Sequence, residues 1–175
     1  MDKIELWQKC VDFLGHVCGG LTIGYKAALY AMELLEVGFS EDEDIVCVAE
    51  NDACGVDAIQ VMLGCSIGKG NLLFKLRGKS AFNFYNRKTG KSIRLVFKES
   101  SEDNKKFGKD EIMAMAPSNL FDVKEVTVKL PERARIFNSF KCECCGEKTA
   151  DYFTRNQNGK TVCIDCFNEY NRFSN

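Results

Sequence analysis

Histidine occurs once in these 175 residues, proline twice, and acidic and basic side chains nearly cancel, leaving a net charge of −1. The near-neutral balance argues against a nucleic-acid surface spread over the whole chain, because phosphate binding needs a basic surplus. No apolar run approaches the roughly 20 residues of a membrane span. The start, Met1-Asp2-Lys3-Ile4-Glu5, is charged and amphipathic, unlike a signal peptide. A cytoplasmic protein with reduced thiols is therefore expected.

Against these scarcities stand ten cysteines. In a reducing compartment they read as metal ligands, reactive thiols or small core residues rather than disulfides. The length suffices for one substantial core and a small extra module.

Ile4, Trp7, Val11 and Leu14 fall on one helical face, so the spacing predicts a helix over 3–14, stopped by Gly15. His16-Val17-Cys18-Gly19-Gly20 reads as a tight loop, followed by a helix from about Leu21 to Val37 that Gly38 ends. Glu41-Asp42-Glu43-Asp44 reads as a solvated turn. Ile45–Ala49 reads as a short buried strand with Cys47 as a small core residue. Asn51 or Asp52 can cap the next helix, which carries Cys54 to Leu63 and stops at Gly64. Leu72 to Leu76 reads as a strand. Phe82 and Phe84, then Ile93, Leu95 and Phe97, alternate with polar neighbours around Asn86-Arg87-Lys88-Thr89-Gly90, a hairpin signal. Ser100 to Asn104 reads as a polar loop, and 110–116 as a short helix closed by Pro117. Val126, Val128 and Leu130 suggest a last strand before Pro131. The expected fold is α+β, helices packed on a mostly antiparallel sheet over residues 1–135, plus a small C-terminal zinc-finger module over 136–175.

That tail carries Cys142-Glu143-Cys144-Cys145 and Cys163-Ile164-Asp165-Cys166, with 17 residues between Cys145 and Cys163. C-x2-C…C-x2-C at this separation is the spacing of a structural zinc site. Four thiolates close the coordination sphere, and metal supplies folding free energy that so short a segment cannot obtain from its own core. Cys144 is the extra thiol and could replace Cys142 as ligand; the symmetric pair Cys142/Cys145 with Cys163/Cys166 is preferred. Between Phe140 and Asn175 five Lys/Arg face five Asp/Glu, so the finger is expected to serve structure or protein docking rather than nucleic acid.

In the body, the single histidine lies two residues from a cysteine just before a helix, where the positive helix end favours thiolate. His16, Cys18 and Cys54 are the expected ligands of a core metal: zinc, or another transition metal such as nickel or iron. Three protein ligands leave a position for water or substrate. Cys65 is a further ligand candidate, or else a packed or reactive thiol. Asp57, on the face of Cys54, could support His16 from the outer shell, and Gln60 could point the same way. Lys69 could hold an anionic substrate or lower a thiol pKa; the alternative is a solvated loop lysine. Cys65, Lys69 and Asp57 are thus the candidate catalytic residues. The stretch Gly64–Gly70 fails the phosphate-loop pattern in its glycine spacing and in Gly70 after Lys69.

Four motifs carry a family resemblance: His16-Val17-Cys18-Gly19-Gly20, Glu50–Gln60, Gly64–Leu72 and Gly78–Tyr85. With them the chain resembles the FmdE family, named after formylmethanofuran dehydrogenase, and its tail looks like the treble-clef or DksA/TraR-like finger of some members. Gly19 departs from the proline the family usually has there. The resemblance implies an α+β core, often a homodimer with exchanged elements, and association with a larger molybdenum or tungsten enzyme of one-carbon metabolism. The expected function is a metal-binding accessory or redox-linked subunit. The alternatives are a free-standing metalloenzyme acting on a small substrate and a metal-delivery or sensing module.

Overall fold

Apolar spacing turns the first segment into helix α1 (Lys3–Leu14), closed by Gly15 in the left-handed conformation. The computed structural model describes residues 2–98, 107–170 and 172, so the loop expected at Ser100–Asn104 lies outside them. The chain divides into two units, Met1–Ala134 and Arg135–Asn175. In the first, α1 buries Leu6 and Cys10, with Trp7, Val11 and Leu14 partly covered, while Ile4 remains 76% exposed. The buried face is thus rotated from the expected one.

Helix α2 (Gly19–Leu35) starts earlier than its apolar pattern suggests, because Cys18 serves as N-cap and its sulfur accepts the Leu21 N–H. It ends at Glu36 in the left-handed region (φ 53°), before Gly38. Strand β1 (Ile45–Ala49) is buried along its whole length. Ile45, Cys47 and Ala49 join the helix-side core, whereas Val46 and Val48 join a second cluster. Helix α3 (Gly55–Leu63) then crosses to β2 (Leu72–Phe74), which runs parallel to β1. This is a β-α-β crossover that the alternation of single strands did not reveal. Strands β3 (Ala81–Asn86) and β4 (Ser92–Phe97) form the expected antiparallel hairpin, and Asn86 Oδ1 accepts the Lys88 and Thr89 N–H groups in its turn.

Two expectations are corrected downstream. After α4 (Lys109–Ala114), Pro117 opens rather than closes a helix: it sits in the first turn of α5 (Pro117–Leu120), where its missing N–H costs nothing. The last strand of the sheet is β5 (Phe121–Lys124), antiparallel to β4, not Val126–Leu130. Val126 and Val128 alternate because they pack on the second face of the sheet against Val46, Val48 and Tyr85. Their backbone bonds go sideways: Thr127 N–H donates to Asn83 Oδ1 and Tyr85 OH to Val128 O. The strand order is β2-β1-β3-β4-β5, one parallel pair and three antiparallel, with helices packed on it. The fold is α+β.

On the second face Glu50 and Arg94, both buried, form a two-point ion pair at 2.6 and 2.8 Å, and Asn83 donates to the same carboxylate. Behind α3, fully buried Asn71 accepts from Ser66 N–H at 2.8 Å and donates to Ile45 O at 2.9 Å and, at 3.4 Å, to Asp42 O and Gly64 O.

The second unit is small. Strands β6 (Ser139–Lys141) and β7 (Lys148–Ala150) form one hairpin, and β8 (Thr154–Gln157) and β9 (Lys160–Cys163) another, leading into a 3-10 turn at Ile164–Cys166. Its buried cluster is only Cys142, Val162 and Cys163, with Cys166 and Phe167 packed against it. No helix among the described residues is long and apolar enough to cross a membrane.

Candidate metal centre

Two helix N-termini meet in the first unit because glycine faces glycine where α2 crosses α3. A Cβ built on Gly24 would stand 2.0 Å from the Gly55 carbonyl oxygen, and one on Gly55 would stand 2.9 Å from Gly20 O. Backbone therefore lies on backbone, an approach only glycine permits. The contact brings Cys18, which caps α2, beside Cys54, which precedes α3. His16 completes the group: one imidazole nitrogen and two sulfurs all lie within 4.8 Å of one another. His16 is exposed and both thiols are half-buried, so the group opens to solvent.

The chemistry of this set suits a transition-metal ion. Imidazole nitrogen with two thiolates is a borderline-soft donor set. Cys54 is held above the ordinary thiol value by its hydrogen bond with Cys18, then by burial, with the charges of Cys18 and Asp57 adding to it. Two sulfurs at this separation hinder each other's ionisation, and a divalent cation between them removes that penalty.

The remaining candidates go elsewhere. Asp57 is near enough to act on Cys54, but its carboxylate accepts from Gln60 Nε2 at 3.0 Å rather than from His16. Cys65 is fully buried behind β1, hydrogen-bonded to Ile45 O at 3.6 Å, and desolvation pushes it up to about 12, so it is a packed thiol outside the three-residue group. Lys69 donates to Ser40 O at 2.8 Å and lies 5.6 Å from the centre of the Phe39 ring, which makes it a clamp on the 39–41 loop. Of the stretch from Glu50 to Asn71, only Cys54 reaches the centre, with Asp57 beside it. The glycines that allow the approach were missed; Gly20 and Gly24, one turn apart in a helix, were the readable signal.

The second centre lies in the other unit. Cys142, Cys145, Cys163 and Cys166 converge within 4.8 Å, and Cys144 stays outside the set. A tetrahedral zinc with bonds of about 2.3 Å separates its sulfurs by roughly 3.8 Å, and Cys145 and Cys163 already stand 3.9 Å apart. The amide groups of Cys145, Cys163 and Cys144 bring the Cys142 thiol down to about 6, and Cys163 and Cys144 lie 3.3 and 3.4 Å from its sulfur. Amides pointed at sulfur stabilise thiolate, the form that binds metal.

Comparison with known proteins agrees with this geometry. Residues 13–135 match the family described as FmdE, molybdenum formylmethanofuran dehydrogenase operon. The chain belongs to the FmdE family. Residues 135–172 match the prokaryotic dksA/traR C4-type zinc finger, so the tail is a C4 zinc finger with the four cysteines as its structural zinc ligands. An FmdE-like protein of tungsten formylmethanofuran dehydrogenase from Syntrophus aciditrophicus, known from a crystal structure, superposes with a TM-score of 0.70 at 21% identity, over 95% of this chain and 92% of that one. At that identity the likeness shows the fold. A probable S-adenosyl-L-methionine-binding protein of Archaeoglobus fulgidus is 30% identical over 95% of this chain. The chain spans about half, 53%, of that relative's length. This FmdE-family chain is thus a metal-binding protein by its zinc finger.

Proposed function

We propose that the core binds one transition-metal ion on His16, Cys18 and Cys54, and that the protein works as an accessory or redox-linked subunit in one-carbon or molybdenum-enzyme metabolism. The observation that supports this is the convergence of one imidazole and two thiols, from segments far apart in sequence, at the junction of two helix N-termini. Membership of the FmdE family supports the metabolic setting. In this reading His16 and Cys18 enter from the α1–α2 loop, Cys54 from the end of the β1–α3 turn, and the Gly24–Gly55 contact fixes their spacing. The bound ion supplies Lewis acidity or a redox centre with a coordination position open to solvent. The thiols hold its charge, and exposed His16 is the donor nearest an entering ligand. A homodimer in the cytoplasm belongs to the same proposal, and sedimentation measures it.

The open side of the centre favours a second reading, in which the same ion acts directly on a small substrate. Turnover by the isolated protein separates the two. The ligand set itself is tested by Cys54→Ser. Its metal content falls by one equivalent while the finger keeps its zinc, and an unchanged content refutes the assignment.

A further inference from the structure

Away from both cysteine centres, a cleft of about 710 Å³ opens between α1, α2 and the residues joining α4 to α5. That is the size of a small-molecule site. Its walls are largely apolar: Trp7, Leu29, Met113, Met115 and Pro117, with Trp7 set edge-to-face on Tyr25 at 5.1 Å. The Tyr25 hydroxyl is engaged by the Lys3 carbonyl at 2.8 Å.

Two lysines share this lining, Lys3 and Lys26. Lys26 is only 8% exposed, and its ammonium donates to one acceptor among the described residues, Met115 O at 2.8 Å. An ammonium carries three N–H bonds, so two remain for a ligand. Among the described residues neither lysine forms an ion pair, and Glu33, exposed in the same lining, pairs with neither. Burial, and the like charge of Lys3, lower the Lys26 pKa. A buried ammonium with a second cation nearby and no carboxylate is a place that an anion stabilises.

We propose that this cleft binds a small amphipathic carboxylate, its apolar body against Trp7 and the two methionines and its carboxylate on Lys26 and Lys3. A monoanion suits the site better than a phosphate dianion, which is costlier to desolvate against apolar walls.

Trp7 is the single tryptophan of the chain, so one indole N–H resonance reports on the cleft in the full-length protein. With 4-phenylbutyrate as probe, that resonance moves saturably with one-to-one stoichiometry. Neutral 4-phenylbutanol binds at least about tenfold more weakly, the loss expected when a charge-assisted hydrogen bond is removed. Lys26→Met lowers affinity for the acid but not for the alcohol. Because Lys26 also holds Met115 O, Lys3→Met, which removes a solvent-facing charge, repeats the comparison without that bond at stake. An alcohol that binds as tightly as the acid would show a plain apolar docking groove and overturn the proposal. So would no saturable movement of the indole signal at millimolar probe, or an acid affinity unchanged in both variants.

Discussion

Replacing Gly24 with alanine tests the geometry on which the core centre rests. The added methyl would stand 2.0 Å from Gly55 O and 2.4 Å from Gly55 Cα, both backbone atoms that no rotamer change can move. Ordinary contact needs about 3.5 Å, so the two helices must part by roughly 1.5 Å at this point. Overpacking of this kind costs about 1–3 kcal/mol, a fall in melting midpoint of roughly 2–12 °C for a domain of this size. The same parting draws Cys54 away from His16 and Cys18, which share α2's end of the contact. Gly20, one turn earlier, is the control: its added methyl meets Cys54 Cβ at 3.4 Å, an ordinary contact. Cobalt loading followed by thiolate-to-metal absorption, with parallel thermal unfolding, reads both effects. Gly24→Ala loses the core signal and melts early; Gly20→Ala keeps the signal and melts within a few degrees of the parent. If Gly24→Ala loads cobalt and melts like the parent, the glycine contact does not set the centre.

Other outcomes follow from the same structure. Cys163→Ala removes one of the four finger ligands, so the tail becomes protease-sensitive while the first unit resists as before; equal resistance of tail and parent contradicts structural zinc. The hydrogen bond from Arg94 brings Glu50 from 4.5 down to about 2, which corresponds to about 3 kcal/mol of stability at 1.36 kcal/mol per pH unit. The folded value is depressed, so that stability is complete above about pH 4.5 and lost as pH falls toward 2. Glu50→Gln, which leaves Arg94 buried and unpaired, costs about 3–5 kcal/mol near neutrality. The gap to the parent then narrows between pH 5 and pH 2 in urea titrations, and a constant gap would dismiss the ion pair as its source. Burial at Cys65 and Cys47 leaves both unalkylated by iodoacetamide in the native protein, while exposed Cys144 reacts, as peptide mass spectrometry reports.

Much of the architecture was legible because it depends on local patterns. Helical periodicity located α1, α2 and α3, alternation around Asn86–Gly90 located the β3–β4 hairpin, and paired C-x2-C motifs located the finger. Features set by distant partners were not. Val126 and Val128 alternate like a strand, yet they meet the sheet's second face rather than its edge, and alternation alone does not separate the two. The pairing of β1 with β2 depends on where α3 delivers the chain. Near the centre, Lys69 and Cys65 looked reactive by residue type, but their roles depend on the carbonyls that Ser40 and Ile45 present to them. His16, Cys18 and Cys54 were legible because each sits beside a helix start, and helix starts can be read from sequence. The glycine contact that joins two of those starts is a pairwise property of separate segments.

Asn71 has a further consequence. Its one short side chain must accept an amide hydrogen from residue 66 while giving hydrogens to carbonyls at 42, 45 and 64. Aspartate has nothing to give, glutamine overreaches, and an aliphatic residue strands every one of those groups without water. Position 71 therefore admits a single amino acid. It acts as a checkpoint on assembly, satisfied only when the acidic turn, the exit from α3 and the parallel strand have all arrived, so these three regions fold together or not at all.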